Sequence, residues 1–156
     1  MALFGGIYYW FPKATGRKMS DVLGKIHFWG SFIAINVVFM PMFIQGLAGM
    51  NRRMYDGGEQ YVMNQDVLYL NEIIGMGAWT LGFFQLFFIY NFFNSIKNGE
   101  KVGANPWNAT TLEWQAPSPP PHGNFSEPPV AHRGPYEYSV PGAAQDFVMQ
   151  GEPDQA

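Results

Sequence analysis

Two uncharged stretches dominate the hydropathy pattern of this chain. Residues 26–51 contain no Asp, Glu, Lys or Arg, nor do residues 73–96, and polar positions crowd the segments between and after them. Wound as a helix at about 1.5 Å per residue, each stretch is long enough to cross a hydrocarbon layer roughly 30 Å thick. Residues 1–11 are also apolar but too short to span, and they lack the basic region and small-residue cleavage site of a signal peptide. The pattern predicts the end of a transmembrane helix at 1–11, a basic loop at 12–25, transmembrane helices at 26–50 and 71–96 joined by a loop at 51–70, and an extended tail at 97–156. The predicted fold class is an all-α membrane protein, with two full transmembrane helices plus a terminal half-helix.

Composition sharpens this reading once the segments are separated. The mean hydropathy of −0.09 averages an apolar first two thirds with a polar tail. Aromatic residues at 17% and nine Met against 13% charged residues suit surfaces that face lipid and other helices. Nothing in the charge distribution indicates a nucleic-acid partner. The chain has no Cys, which excludes disulfides and thiolate metal ligands. The tail holds ten of the twelve prolines, including Pro117 and Pro119 to Pro121, and beyond Lys101 it carries six acids against one base, Arg133. Such a segment does not build its own core. Its aromatics Trp107, Trp114, Phe125, Tyr136 and Tyr138 predict that it lies extended along a partner surface.

Charge also orients the chain. Lys13, Arg17, Lys18 and Lys25 precede the first span, and Lys97 and Lys101 return to the same side after the second. By the positive-inside rule these segments are cytoplasmic, or matrix-facing in an organelle, and the connecting loop faces outward. Arg52 and Arg53 are exceptions in that loop. Directly after Gly46-Leu47-Ala48-Gly49, they read as a snorkelling anchor, as partners of Asp56 or Glu59, or as a clamp for an anionic ligand whose carboxylates the guanidinium forks would grip.

Other candidates are weaker. Asn36 and Gln45 place amides at membrane depth and are expected to face other helices, and Pro41 is expected to bend the first span. Gly75, Gly77 and Gly82 allow close approach by a neighbour, while the Phe83-to-Phe93 aromatic run lines lipid or a cofactor. His27 reads as an interfacial hydrogen-bonding residue. His122 and His132 lie in the tail without a second ligand at helical spacing, so no metal site is predicted. Glu72 reads as a proton carrier or as a residue reaching the interface.

Gly24-Lys25-Ile26-His27-Phe28, Asn36, Phe39, Pro41 and the run from Gly46 through Met50-Asn51-Arg52-Arg53 closely resemble the eleventh transmembrane helix and following loop of subunit I of the bacterial heme-copper oxygen reductases, the cytochrome c oxidase type. Phe4-Gly5-Gly6 to Trp10-Phe11-Pro12 resembles the end of the tenth helix, and Asn71 with Met76-Gly77 the twelfth. Asn105-Pro106-Trp107, Thr111-Leu112-Glu113-Trp114 and Pro119 to Pro121 resemble the cytoplasmic tail. The resemblance implies part of a twelve-helix-type bundle in the bacterial inner membrane, whose complex reduces O2 to water with electrons from cytochrome c and translocates protons. It implies that Arg52 and Arg53 bind the propionates of a low-spin, heme a-type cofactor and its neighbour, and that Ile35, Phe39 and Met42 line the low-spin heme.

The sequence departs from the family at Asn51, where Pro is usual, and at Met42-Phe43, where Gln-His is common. The family's heme and copper ligands lie upstream of these segments. The resemblance therefore implies no catalytic residue and no metal ligand here, copper in a partner chain only, and completion by a chain carrying the remaining subunit I helices together with other oxidase subunits and membrane lipid. The alternatives are a non-catalytic membrane scaffold or assembly subunit, or part of a quinol-using oxidase.

Overall fold

The computed structural model describes residues 1–51, 53, 54, 59, 62–137 and 145–153. Contacts divide the chain into two units, Asp21–Phe92 and a second made of Met1–Ser20 with Phe93–Ala156. The elements, in order, are α1 (Ala2–Thr15), β1 (Arg17–Lys18), α2 (Asp21–Leu47), a 3-10 turn (Val62–Val67), α3 (Leu70–Asn98), β2 (Glu100–Lys101) and a second 3-10 turn (Leu112–Trp114).

Both predicted spans are helices; α3 outruns its uncharged stretch at both ends, while α2 begins before its stretch and stops short of its end, at Leu47. α2 starts at Asp21, not residue 26, because an acidic side chain in the first turn is favourable beside the unpaired N–H groups there. α3 runs from Leu70 to Asn98, with Glu72 in its first turn and Lys97 in its last, each sign matching the helix dipole. α2 and α3 are long and apolar enough to cross a membrane.

The central unit is an antiparallel pair. His27 meets Gln85, and at the opposite end Gln45 meets Asn71. The buried positions of α2 are His27, Ser31, Ala34, Pro41 and Gln45, separated by three, four or seven residues. That spacing is the seam of two helices crossing at a shallow angle. Its small members bring the backbones close. A Cβ on Gly30 would run into the Phe84 ring, and one on Gly77 would lie 3.0 Å from Val37 Cγ1. Gly75 and Gly82, expected to do the same, have nothing within 4 Å. Gly30 was the unmarked position.

In the other unit the tail has a surface within its own chain. It folds onto its own chain's first helix. α1 continues through Pro12 to Thr15, four residues beyond the predicted end of the half-span, and closes on Gly16, whose φ of +69° suits glycine. Arg17–Lys18 then pairs antiparallel with Glu100–Lys101. The Trp107 indole donates to the Tyr9 carbonyl at 2.9 Å, and its ring stacks on Tyr9. Trp114, 1% exposed, packs edge-on against Tyr9 and beneath the Lys13 ammonium.

Lys13 donates to the carbonyls of Ala104, at 2.9 Å, and Ala116. Burial pushes its pKa down, and the Glu113 carboxylate partly offsets this. Gln150 closes the tail. Its backbone N–H donates to Thr110, and its amide donates to the Arg133 carbonyl while accepting from Leu112 N–H. Phe125 is half-buried and Tyr136 exposed, while Tyr138 lies outside the described residues.

Candidate functional site

The arginine pair follows a helix end that the backbone chemistry fixes. Gly49 N–H donates to the Gly46 carbonyl and Met50 N–H to the Gln45 carbonyl, both at 3.0 Å. This pair of bonds is a Schellman motif, which needs a left-handed residue at the position of Gly49, and φ there is +87°. Four residues on, Arg53 is exposed and also left-handed, at φ +60°. Arg52 lies outside the described residues, as does Asp56, one of its two candidate ion-pair partners. Nothing lies within 4 Å of a Cβ built on Gly49, so Gly49→Ala incurs backbone strain alone. We expect it to lower stability by about 1–2 kcal/mol, read as a lower melting temperature of the intact membrane complex; an unchanged value would refute this role for the turn.

On α2, Ile35, Phe39 and Met42 fall on one stripe turned away from the seam. Successive residues rotate by about 100°, which places these three roughly 80–140° around the helix from Ala34. Ile35 is half-buried, whereas Phe39 is 60% and Met42 47% exposed. The stripe is thus uncovered by α3 and presents an apolar strip that leads toward the Schellman turn. A separate apolar groove of about 450 Å3 is lined by Phe32, Ile33, Asn36, Val37, Met40, Pro41 and Ile73. None of the three stripe residues lines it.

The polar groups at membrane depth sort into bonded sets. Gln45, 6% exposed, donates to Asn71 Oδ1 at 2.8 Å and to the Val67 carbonyl at 3.1 Å, as expected of an amide that faces another helix. Asn36 is exposed instead and satisfies its amide on the Phe32 carbonyl one turn back, at 2.7 Å. His27 is a hydrogen-bonding residue, and it is buried against α3. It is 1% exposed, its Nε2 lies 3.2 Å from Gln85 Oε1, and the Gln85 amide donates to Ser31 Oγ at 3.0 Å. A lone His at the start of an apolar run looks like a boundary residue, which hid its place in the seam.

The aromatic run divides as well. Phe84 and Phe88 pack on α2, while Phe83, Tyr90 and Phe93 are exposed. Glu72 is exposed in the first turn of α3. Among the described residues no group of three His, Cys, Asp or Glu side chains is placed to hold a metal ion.

What the site can do follows from these parts. A strip of aliphatic and aromatic side chains suits the face of a planar apolar cofactor, and cations past the helix end suit carboxylates at its rim. A heme fits that donor set as a group contacted, not ligated.

Residues 1–80 match the family described as cytochrome C and quinol oxidase polypeptide I. The chain is 47% identical over 155 residues to the alternative cytochrome c oxidase subunit 1 of Bradyrhizobium diazoefficiens, a match that covers 98% of this chain and 26% of that protein. It is 46% identical over 141 residues to the cytochrome c oxidase subunit 1 of a Synechocystis species, covering 89% of this chain and 24% of the relative. With a probable cytochrome c oxidase subunit 1-beta of Nocardia farcinica the identity is 38% over 148 residues, covering 92% and 24%. The chain spans about a quarter of the length of the curated relatives it matches.

Proposed function

Because the chain belongs to the cytochrome C and quinol oxidase polypeptide I family, we propose that it forms the last membrane segment of the catalytic subunit of a terminal oxidase. In this reading it walls the low-spin heme with Ile35, Phe39 and Met42 and holds heme propionates with Arg52 and Arg53. The observation that supports this reading is that α2 leaves the stripe open and closes on a Schellman turn shortly before the arginine pair in the sequence. The heme, when bound, supplies one-electron transfer. The chain's own residues exclude water from one side of it. They also supply positive charge to the propionates in a setting of low dielectric, where such pairing is strong.

Copper and the metal-ligating residues are assigned to the rest of the subunit. The complex takes electrons from cytochrome c, as the names of the relatives favour, reduces O2 to water and translocates protons across the bacterial inner membrane, with the tail on the cytoplasmic side. Partners in this reading are the remaining subunit I helices, the other oxidase subunits and membrane lipid.

Arg52→Leu tests the assignment. Removing a cation beside the propionates favours the oxidised heme, so the midpoint potential of the low-spin heme falls by roughly 50–100 mV at an effective dielectric of about 20. Heme retention weakens with it. Redox titration of the purified complex reads the first, and heme per complex the second. An unchanged potential and spectrum would leave the arginines as anchors and favour a non-catalytic scaffold.

A further inference from the structure

The two-stranded ladder has faces of unlike charge. Its register pairs Lys18 with Glu100 and Arg17 with Lys101. Side chains alternate along a strand, so these pairs point to opposite sides. The Lys18–Glu100 side is balanced, and the Lys18 ammonium also sits over the Trp107 ring at 5.2 Å. The Arg17–Lys101 side carries two cations directly opposite each other, an arrangement that destabilises a ladder unless an anion joins it.

Arg17 spends one N–H on the Gly99 carbonyl at 2.7 Å, and no described acid is bonded to either cation. Lys101 is exposed, as is Lys97 in the last turn of α3. The ladder is also pinned in place. A Cβ on Gly99 would collide with the Ser95 carbonyl and lie 2.8 Å from the Lys18 carbonyl, so both strands sit tight against the end of α3.

We propose that the Arg17–Lys101 face binds the phosphate of an anionic phospholipid headgroup. α3 is a membrane-length apolar helix that ends at Asn98, and the ladder begins two residues later, which sets the cation pair at the depth where lipid phosphates lie. The remaining guanidinium N–H groups offer a fork to phosphate oxygens, and the Lys101 ammonium supplies a second charge from across the ladder. The occupant is a lipid, not a soluble phosphate ester, because the face adjoins the helix end that the bilayer surrounds. This site rests on the chain spanning a membrane and is independent of the heme reading.

The test uses the intact membrane complex that contains this chain, reconstituted in nanodiscs of phosphatidylcholine with a minority of phosphatidylglycerol. After transfer to detergent, native mass spectrometry counts the phosphatidylglycerol retained. Each cation near an anionic surface changes affinity roughly fivefold, so Lys101→Gln weakens retention about fivefold and Arg17→Gln with Lys101→Gln about thirtyfold. Lys25→Gln, a cation at the start of α2, leaves it unchanged. Lys101→Gln keeps the Arg17–Gly99 bond, so its result stands even if the double variant folds poorly. Equal retention by Lys101→Gln and the parent, an equal loss with Lys25→Gln, or displacement of the lipid by excess inorganic phosphate would each overturn the proposal.

Discussion

Trp114→Ala is expected to release the tail from the helix it covers. The indole is buried between Tyr9 and Lys13, and the truncation removes most of that contact without any means for α1 and the 3-10 turn to collapse into the space. A cost of about 3–5 kcal/mol follows for a buried Trp replaced by Ala, so opening of this unit becomes more frequent by roughly two to four orders of magnitude. Amide hydrogen exchange reads this at Val102, whose N–H donates to the Gly16 carbonyl, and at Gln150, whose N–H donates to Thr110. Trp114→Phe provides the contrast. The Trp114 N–H has no hydrogen-bond partner among the described residues, so exchanging it for a smaller ring gives up packing but no hydrogen bond, and exchange should stay close to that of the parent. Unaltered exchange in Trp114→Ala would mean that the docking of the tail rests on Lys13 and the ladder instead.

That tail shows where sequence reasoning reaches its limit. Its proline and charge content argued against a core of its own, and its aromatics argued for a surface to lie on. Within the chain two of those aromatics, Trp107 and Trp114, meet Tyr9, about a hundred positions earlier, and no local pattern reports a contact at that separation. Lys13 was legible only as a loop cation. Its burial depends on two carbonyls of the tail, Ala104 and Ala116, that are invisible until the chain folds.

The spans were legible because an absence of charge over membrane length is a strong signal. Their ends were not, since Asp21, Glu72 and Lys97 belong to the helices by dipole complementarity while looking like loop residues. At the candidate site, the arginine pair stood out from the charge pattern, while its propionate role and the stripe at 35, 39 and 42 came from family resemblance. Within the chain that stripe is turned away from α3, since Ser31, Ala34, Pro41 and Gln45 form the seam.

Gly30→Val should damage the helix pair at its tightest crossing. A Cβ at Gly30 already meets several atoms of the Phe84 ring, including Cγ near the base of the side chain, where a rotamer change moves atoms least. The branched side chain must force the helices apart or drive Phe84 off its rotamer, at a cost of about 1–3 kcal/mol. Separation would also stretch the His27–Gln85–Ser31 bonds one turn away, which leaves amide and hydroxyl groups unpaired where water is scarce. Gly77→Ala should cost less, because its two nearest neighbours are Val methyl groups at 3.0 and 3.1 Å that yield by a few tenths of an ångström, and the Val37 backbone lies farther off at 3.3 Å. The measurement is a double-mutant cycle on the melting temperature of the intact complex, with Phe84→Ala as the second change. If the Gly30–Phe84 contact sets the crossing distance, Phe84→Ala makes room for the valine and the combined variant is more stable than the two penalties added together. Strictly additive penalties would show that α2 and α3 are held apart elsewhere, and the seam would then have to be placed at Ala34 and Gly77 rather than at Gly30.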